Sequence, residues 1–68
     1  MATDNKIGEN IKRHRTKLGL SQEEFAQKSG VKYTTLTKIE SGVIKTPSVV
    51  IMGKIAKALG VFIEDLLK

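Results

Sequence analysis

The sequence contains no cysteine, no tryptophan and a single proline. Without cysteine, neither a disulfide framework nor a thiolate metal site is available, and the composition suits a reducing cytosol. The only histidine, His14, makes a poor zinc site by itself, and nothing places a serine and an aspartate beside it as a catalytic triad. It reads as a satisfied core or boundary histidine. No apolar run approaches the roughly 18 residues of a membrane span. The start, Met1-Ala2-Thr3-Asp4-Asn5, lacks the basic residues and apolar stretch of a signal peptide. The expectation is a cytoplasmic chain with no metal, no cofactor, no small-molecule ligand and no enzyme constellation.

What is present is enough for one small domain of 68 residues, 40% of them hydrophobic. Its stability must come from helix packing, helped by association with a second chain. Charge is unbalanced, with 12 Lys and Arg against 7 Asp and Glu, a net of +5. Such an excess fits a polyanionic partner such as nucleic acid, and it equally fits a solubilising surface. The positions of the charges have to decide.

Hydrophobic spacing predicts five helices and no strand, with residues 1–5 a flexible N-terminus and 6–68 the folded domain. The first helix runs from Lys6 to Leu18, capped by Asp4 or Asn5 and closed by Gly19, with Ile7, Ile11, His14 and Leu18 on one stripe. Ser21 opens the second, with Glu24 completing a capping box, and Gly30 ends it. The third lies within GVKYTTLTKIESG, with Val31, Leu36 and Ile39 inward. The fourth is expected to start with Thr46 as cap and Pro47 as first helical residue, and to end at Leu59-Gly60. Val49, Met52, Ile55, Ala56 and Leu59 fall on its buried face, Val50 opposite and Ile51 on the flank. The last, Ile63 to Leu67, is too short to survive alone. Phe62 stands where its cap belongs and is hard to bury.

Only Gly30-Val31-Lys32 joins the second and third helices, a turn tight enough for a helix-turn-helix. Ala26 is small where the two must approach, Gly30 makes the turn, and Phe25, Val31, Leu36 and Ile39 fill the interior. At this level the chain resembles the lambda-repressor-like, Cro/Xre-type helix-turn-helix DNA-binding family. LGLSQEEFA, the glycine turn, IESG and IAKALGV carry the resemblance, which extends from IGENIKRHRTKLGLSQEEFAQKSGV through TPSVV to KIAKALGVFIEDLL. It implies an all-α, compact five-helix domain that binds double-stranded DNA as a transcriptional regulator, usually as a dimer on a two-fold operator. Phage repressors, restriction–modification controllers and antitoxins come within this size, and so does a piece of a longer regulator. His14 departs from the family's leucine, Lys32 from its Ser or Thr cap, and Phe62 from the usual cap of the last helix.

On that frame the third helix enters the major groove, exposing Lys32, Tyr33, Thr34, Thr37 and Lys38 to base edges. Tyr33, Thr34, Thr35 and Thr37 are weak helix formers where a merely soluble helix would carry Glu, Lys, Ala or Gln. Thr35 is set apart as packing or touching backbone. Ser21 and Gln22 offer the start of the second helix to a phosphate, and the resemblance also assigns Gln22 a backbone contact. Arg13, Lys17, Ser41 and Lys45 are further phosphate candidates, each equally readable as a solvated group. The resemblance pairs Arg15 with Glu40, a structural bridge before it is a DNA contact. Val50, Ile51, Phe62, Ile63 and Leu66, with the segment from Pro47, form the expected homodimer interface, setting two recognition helices about 34 Å apart. The competing expectation is a protein-binding adaptor on the same fold. A membrane-surface helix is excluded by the absence of one continuous amphipathic face.

Overall fold

A computed structural model describes residues 6–68; the expected flexible N-terminus and the Asp4 or Asn5 cap lie outside the described residues. The described chain forms α1 (Lys6–Lys17), α2 (Gln22–Ser29), α3 (Tyr33–Ser41), α4 (Val49–Leu59) and α5 (Ile63–Leu67), with no strand among the described residues. Each break follows from local chemistry. Gly19 closes α1 in a left-handed conformation, its N–H donating to the Thr16 carbonyl at 2.9 Å while Leu20 N–H reaches the Arg15 carbonyl at 3.3 Å. Gly30, at φ 78°, turns the chain sharply enough that α2 and α3 pack directly on one another.

The helices surround a single core in which Ile11, Phe25, Leu36, Ile39, Ile55 and Leu66 are fully enclosed, with Ala26, Val31, Met52 and Ala56 nearly so. α1 packs against α3, α5 and α4, and α2 against α3 and α4. The core residues of α3 come from one face, so the other is left outward. Packing on α1 and α2 beneath it supplies the stability that its own threonines do not.

Four expectations are corrected. α4 begins at Val49, because Ser48 takes the cap: its Oγ accepts the Ile51 N–H at 3.2 Å, and Thr46 and Pro47 precede the helix. Val49 is 79% exposed, since it overhangs an open groove that α1 and α5 leave between Ile7, Met52, Ile63 and Leu67. Leu18 lies beyond the last turn of α1 and is half exposed, while Leu20 packs against the core in its place. Leu66 is not surface at all. It is wholly buried, and its carbonyl accepts the side-chain amide of Asn10 at 2.9 Å.

Candidate nucleic-acid interface

The outward face of α3 presents Lys32, Tyr33, Thr34 and Lys38 to solvent, with Thr35 and Thr37 half-buried at its edges. Lys32 occupies the N-cap position, but its side chain makes no cap hydrogen bond, and an ammonium has no acceptor to offer. The leading amides of α3 are therefore left to a ligand or to water. Thr37 Oγ1 donates to the Thr34 carbonyl at 2.9 Å. Its proton is engaged within the helix while its lone pairs remain, so toward a base edge it is an acceptor, suited to adenine or cytosine amino groups. Ser41 does the same at the end of α3, donating to the Lys38 carbonyl at 3.2 Å.

A buried network fixes this helix to its neighbours. Arg15 donates from Nε to Glu40 Oε2 at 2.8 Å and from Nη2 to Oε1 at 3.0 Å, and its Nη1 reaches the Leu20 carbonyl at 2.7 Å. Gln22 Nε2 donates to the same Glu40 Oε1 at 3.0 Å. One carboxylate, with its side chain only 3% exposed, thus ties the end of α1, the start of α2 and the end of α3 together. The fork geometry of the guanidinium and the added amide bond offset the desolvation of the pair.

At the start of α2, Ser21 Oγ accepts the Glu24 N–H at 3.0 Å and Glu24 Oε1 accepts the Ser21 N–H at 2.8 Å. The box consumes two amides and leaves those of Gln22 and Glu23 at the helix mouth, where an anion is favoured. Ser21 is exposed beside them. Ser41 and Lys45 follow at the exit of α3, also exposed. Arg13 and Lys17 are placed differently, on the outer face of α1 with Glu9, Lys12 and Thr16. Arg13 Nη2 is held by Asn10 Oδ1 at 2.6 Å.

The proposed interface residues divide. Val50 is 67% and Phe62 76% exposed, and Ile63 lines the apolar groove with Pro47, Val49 and Leu67. Phe62 N–H donates to Asp65 Oδ2 at 3.0 Å, so the backbone of this position serves as a cap while the ring stands in solvent. Ile51 does not belong with them. It packs partly on the core and faces a second groove, with Val31, Lys32, Thr35 and Lys54, because it flanks the side of α4 nearer the turn. Leu66 is excluded by its burial.

One positioning side chain, Asn10, and one contact, from Gln22 to Glu40, escaped the sequence. Asn10 was hidden among apolar residues, although it stands three after Ile7 on the buried stripe of α1. A polar side chain at such a position demands partners, and both ends of its amide have one. The third arm of the network, from Gln22 to Glu40, joins residues 18 apart in sequence and carries no local signal. No group of three metal-ligating side chains is found among the described residues, and no described helix is long and apolar enough to cross a membrane.

Residues 11–66 match the helix-turn-helix family model. The chain belongs to the helix-turn-helix family. This helix-turn-helix domain is 44% identical over 57 residues to an uncharacterized HTH-type transcriptional regulator of Methanothermobacter thermautotrophicus, covering 82% of this chain and 81% of that one. It is 36% identical over 61 residues to the HTH-type transcriptional regulator SinR of Bacillus subtilis, covering 90% of this chain and 55% of SinR, so it spans about half the length of that relative. Its fold superimposes on SinR, the master regulator for biofilm formation, crystallised in complex with DNA, with a TM-score of 0.88 at 35% identity over 91% of this chain and 98% of the solved one. The restriction–modification controller protein C.AhdI from Aeromonas hydrophila gives a TM-score of 0.85 at 33% identity, covering 93% and 94%.

Proposed function

We propose that this chain is a cytoplasmic, sequence-specific regulator of transcription that binds double-stranded DNA as a homodimer and catalyses nothing. The observation that carries the reading is the outward face of α3: five donor- or acceptor-bearing side chains, Lys32, Tyr33, Thr34, Thr37 and Lys38, on a helix whose other face is locked into the core. They read base edges, while Ser21, Gln22, Ser41 and Lys45 hold the sugar–phosphate backbone and Arg13 and Lys17 are flanking cations of the same set. Glu40 positions Gln22 and neutralises Arg15, which keeps a carboxylate near the duplex from repelling phosphate. The likeness to SinR, solved with DNA, supports the same docking.

Val49, Val50, Phe62, Ile63 and Leu67 are large apolar side chains left exposed along α4 and α5. A second copy covering them explains their exposure and gives the two-fold symmetry of a palindromic operator. The adaptor reading draws on the same apolar residues, but it leaves the polar face of α3 without a purpose. Selection of bound sequences from random duplex DNA tests the proposal. A palindromic consensus with half-sites about one helical turn apart is expected, and no enrichment over random sequence sinks it.

A further inference from the structure

Lys28, Lys54 and Lys57 converge on one side of the domain, around a groove completed by Ser29 and Ala58. All three lysines are exposed, and none makes an ion pair among the described residues. Lys54 also lines the neighbouring groove beside Gly30, Val31, Lys32, Thr35 and Ile51, so the basic strip continues toward the start of α3. No Asp or Glu lines either groove. Helix electrostatics accounts for part of this: Lys28 and Lys57 lie in the last turns of α2 and α4, where a cation complements the helix dipole. It does not account for Lys54, which stands mid-helix, three residues from Lys57, as an unfavourable like-charge neighbour.

The location separates this strip from the phosphate candidates. Lys28 is about 9 Å along the α2 axis from Gln22, and Lys57 about 13 Å along α4 from its cap Ser48. A duplex seated on the start of α2 and the outward face of α3 does not reach the far end of α2, where Lys28 shares its groove with Lys57. We infer that the Lys28–Lys54–Lys57 groove is a docking surface for an acidic polypeptide segment of a second protein, which would stand beside the bound operator. Charge complementarity selects the occupant. An extended acidic segment lying between α2 and α4 would set its carboxylates against the three ammonium groups, with the lysine stems and Ala58 beside its apolar atoms. The inference rests on the DNA-binding reading only for where the duplex lies.

Amide spectra of the isotope-labelled protein, titrated separately with a short poly-glutamate peptide and with a random-sequence duplex, test it. The peptide is expected to move Lys28, Ser29, Lys54, Lys57 and Ala58, and the duplex to move Ser21, Gln22 and residues of α3. The variant Lys28→Gln, Lys54→Gln, Lys57→Gln should weaken the peptide about tenfold, while duplex affinity, compared at a salt concentration that screens distant charges, changes less than the peptide's. Circular dichroism of that variant verifies the fold, and Lys54→Gln, a single neutral change, should weaken the peptide measurably without altering melting. Peptide shifts spread over all lysines alike, peptide shifts concentrated on α3, or no peptide binding at low salt would each overturn the inference. So would duplex shifts centred on this groove, which would assign it to DNA. Failure of the duplex to move α3 counts against the DNA-binding reading instead, and leaves the peptide result to be judged separately.

Discussion

Replacing Glu40 by alanine removes the acceptor of three hydrogen bonds at once, two from Arg15 and one from Gln22. The Arg15 side chain is 11% exposed, so its charge would be stranded in a poorly hydrated site. Breaking a buried pair in this way costs about 3–5 kcal/mol. The lower end applies here, because the guanidinium keeps its bond to the Leu20 carbonyl. A domain of 68 residues has about 3–10 kcal/mol of stability in total. The loss is therefore a large fraction of the whole, and at about 4–8 °C per kcal/mol it lowers Tm by about 12–24 °C. Thermal melting followed by far-ultraviolet circular dichroism measures this, and DNA binding below the new Tm should weaken for all sequences alike, since α3 and Gln22 lose their common anchor. The double variant Arg15→Met, Glu40→Leu separates the two contributions. Apolar replacements of similar volume restore most of the stability, whereas the loss of DNA affinity should persist. A Glu40→Ala protein that melts within a degree or two of wild type would refute the role assigned to the network.

Lys32→Ser supplies the side-chain acceptor that the start of α3 lacks, so Tm should rise by the equivalent of about 1 kcal/mol while DNA affinity falls; both quantities moving together would contradict the placement of Lys32 at the duplex. Asn10→Leu leaves the Leu66 carbonyl without its partner and frees Arg13, with an expected loss of about 1–3 kcal/mol in urea unfolding. Phe62→Lys should convert dimers to monomers in sedimentation and sharply weaken operator binding, yet leave the helical fold intact by circular dichroism, because the ring is 76% exposed; the only stability lost is the concentration-dependent share that association supplies. Wild-type protein that is monomeric on DNA removes the basis for that prediction. Leu66→Ala, by contrast, should cost about 2–5 kcal/mol of folding stability at any protein concentration.

Much of the fold was legible because its signals are local. Ser21 and Glu24 cap each other three residues apart, and Gly19, Gly30, Gly42 and Gly60 each take the left-handed conformation that a helix end favours. Periodicity located Ile11, Leu36, Ile39, Met52 and Ile55 in the core. It failed at Val49 and Leu18, since a face points toward the core without revealing where the covering helices stop. The cap of α4 was missed for a simpler reason: Thr46-Pro47 and Ser48 both have the right chemistry, and only the backbone path chooses between them. In the candidate site, exposure of Lys32, Tyr33, Thr34 and Lys38 followed from the spacing of Val31, just before the nine-residue helix, and of Leu36 and Ile39 within it.

The sequence alone determined the helix count, the glycine breaks and the polar face of α3, because each depends on residues within a turn or two of one another, and the excess of positive charge, which is a sum over the chain whatever its fold. Tertiary structure decided which polar groups meet. Arg15 and Glu40 are 25 residues apart, and Asn10 and the Leu66 carbonyl 56 apart. It also decided that Leu66 is core while Phe62, four residues earlier, is surface, and that Lys28 and Lys57 share a groove. A short helix such as α5 has too few turns to declare its buried face; only the helices packed against it do.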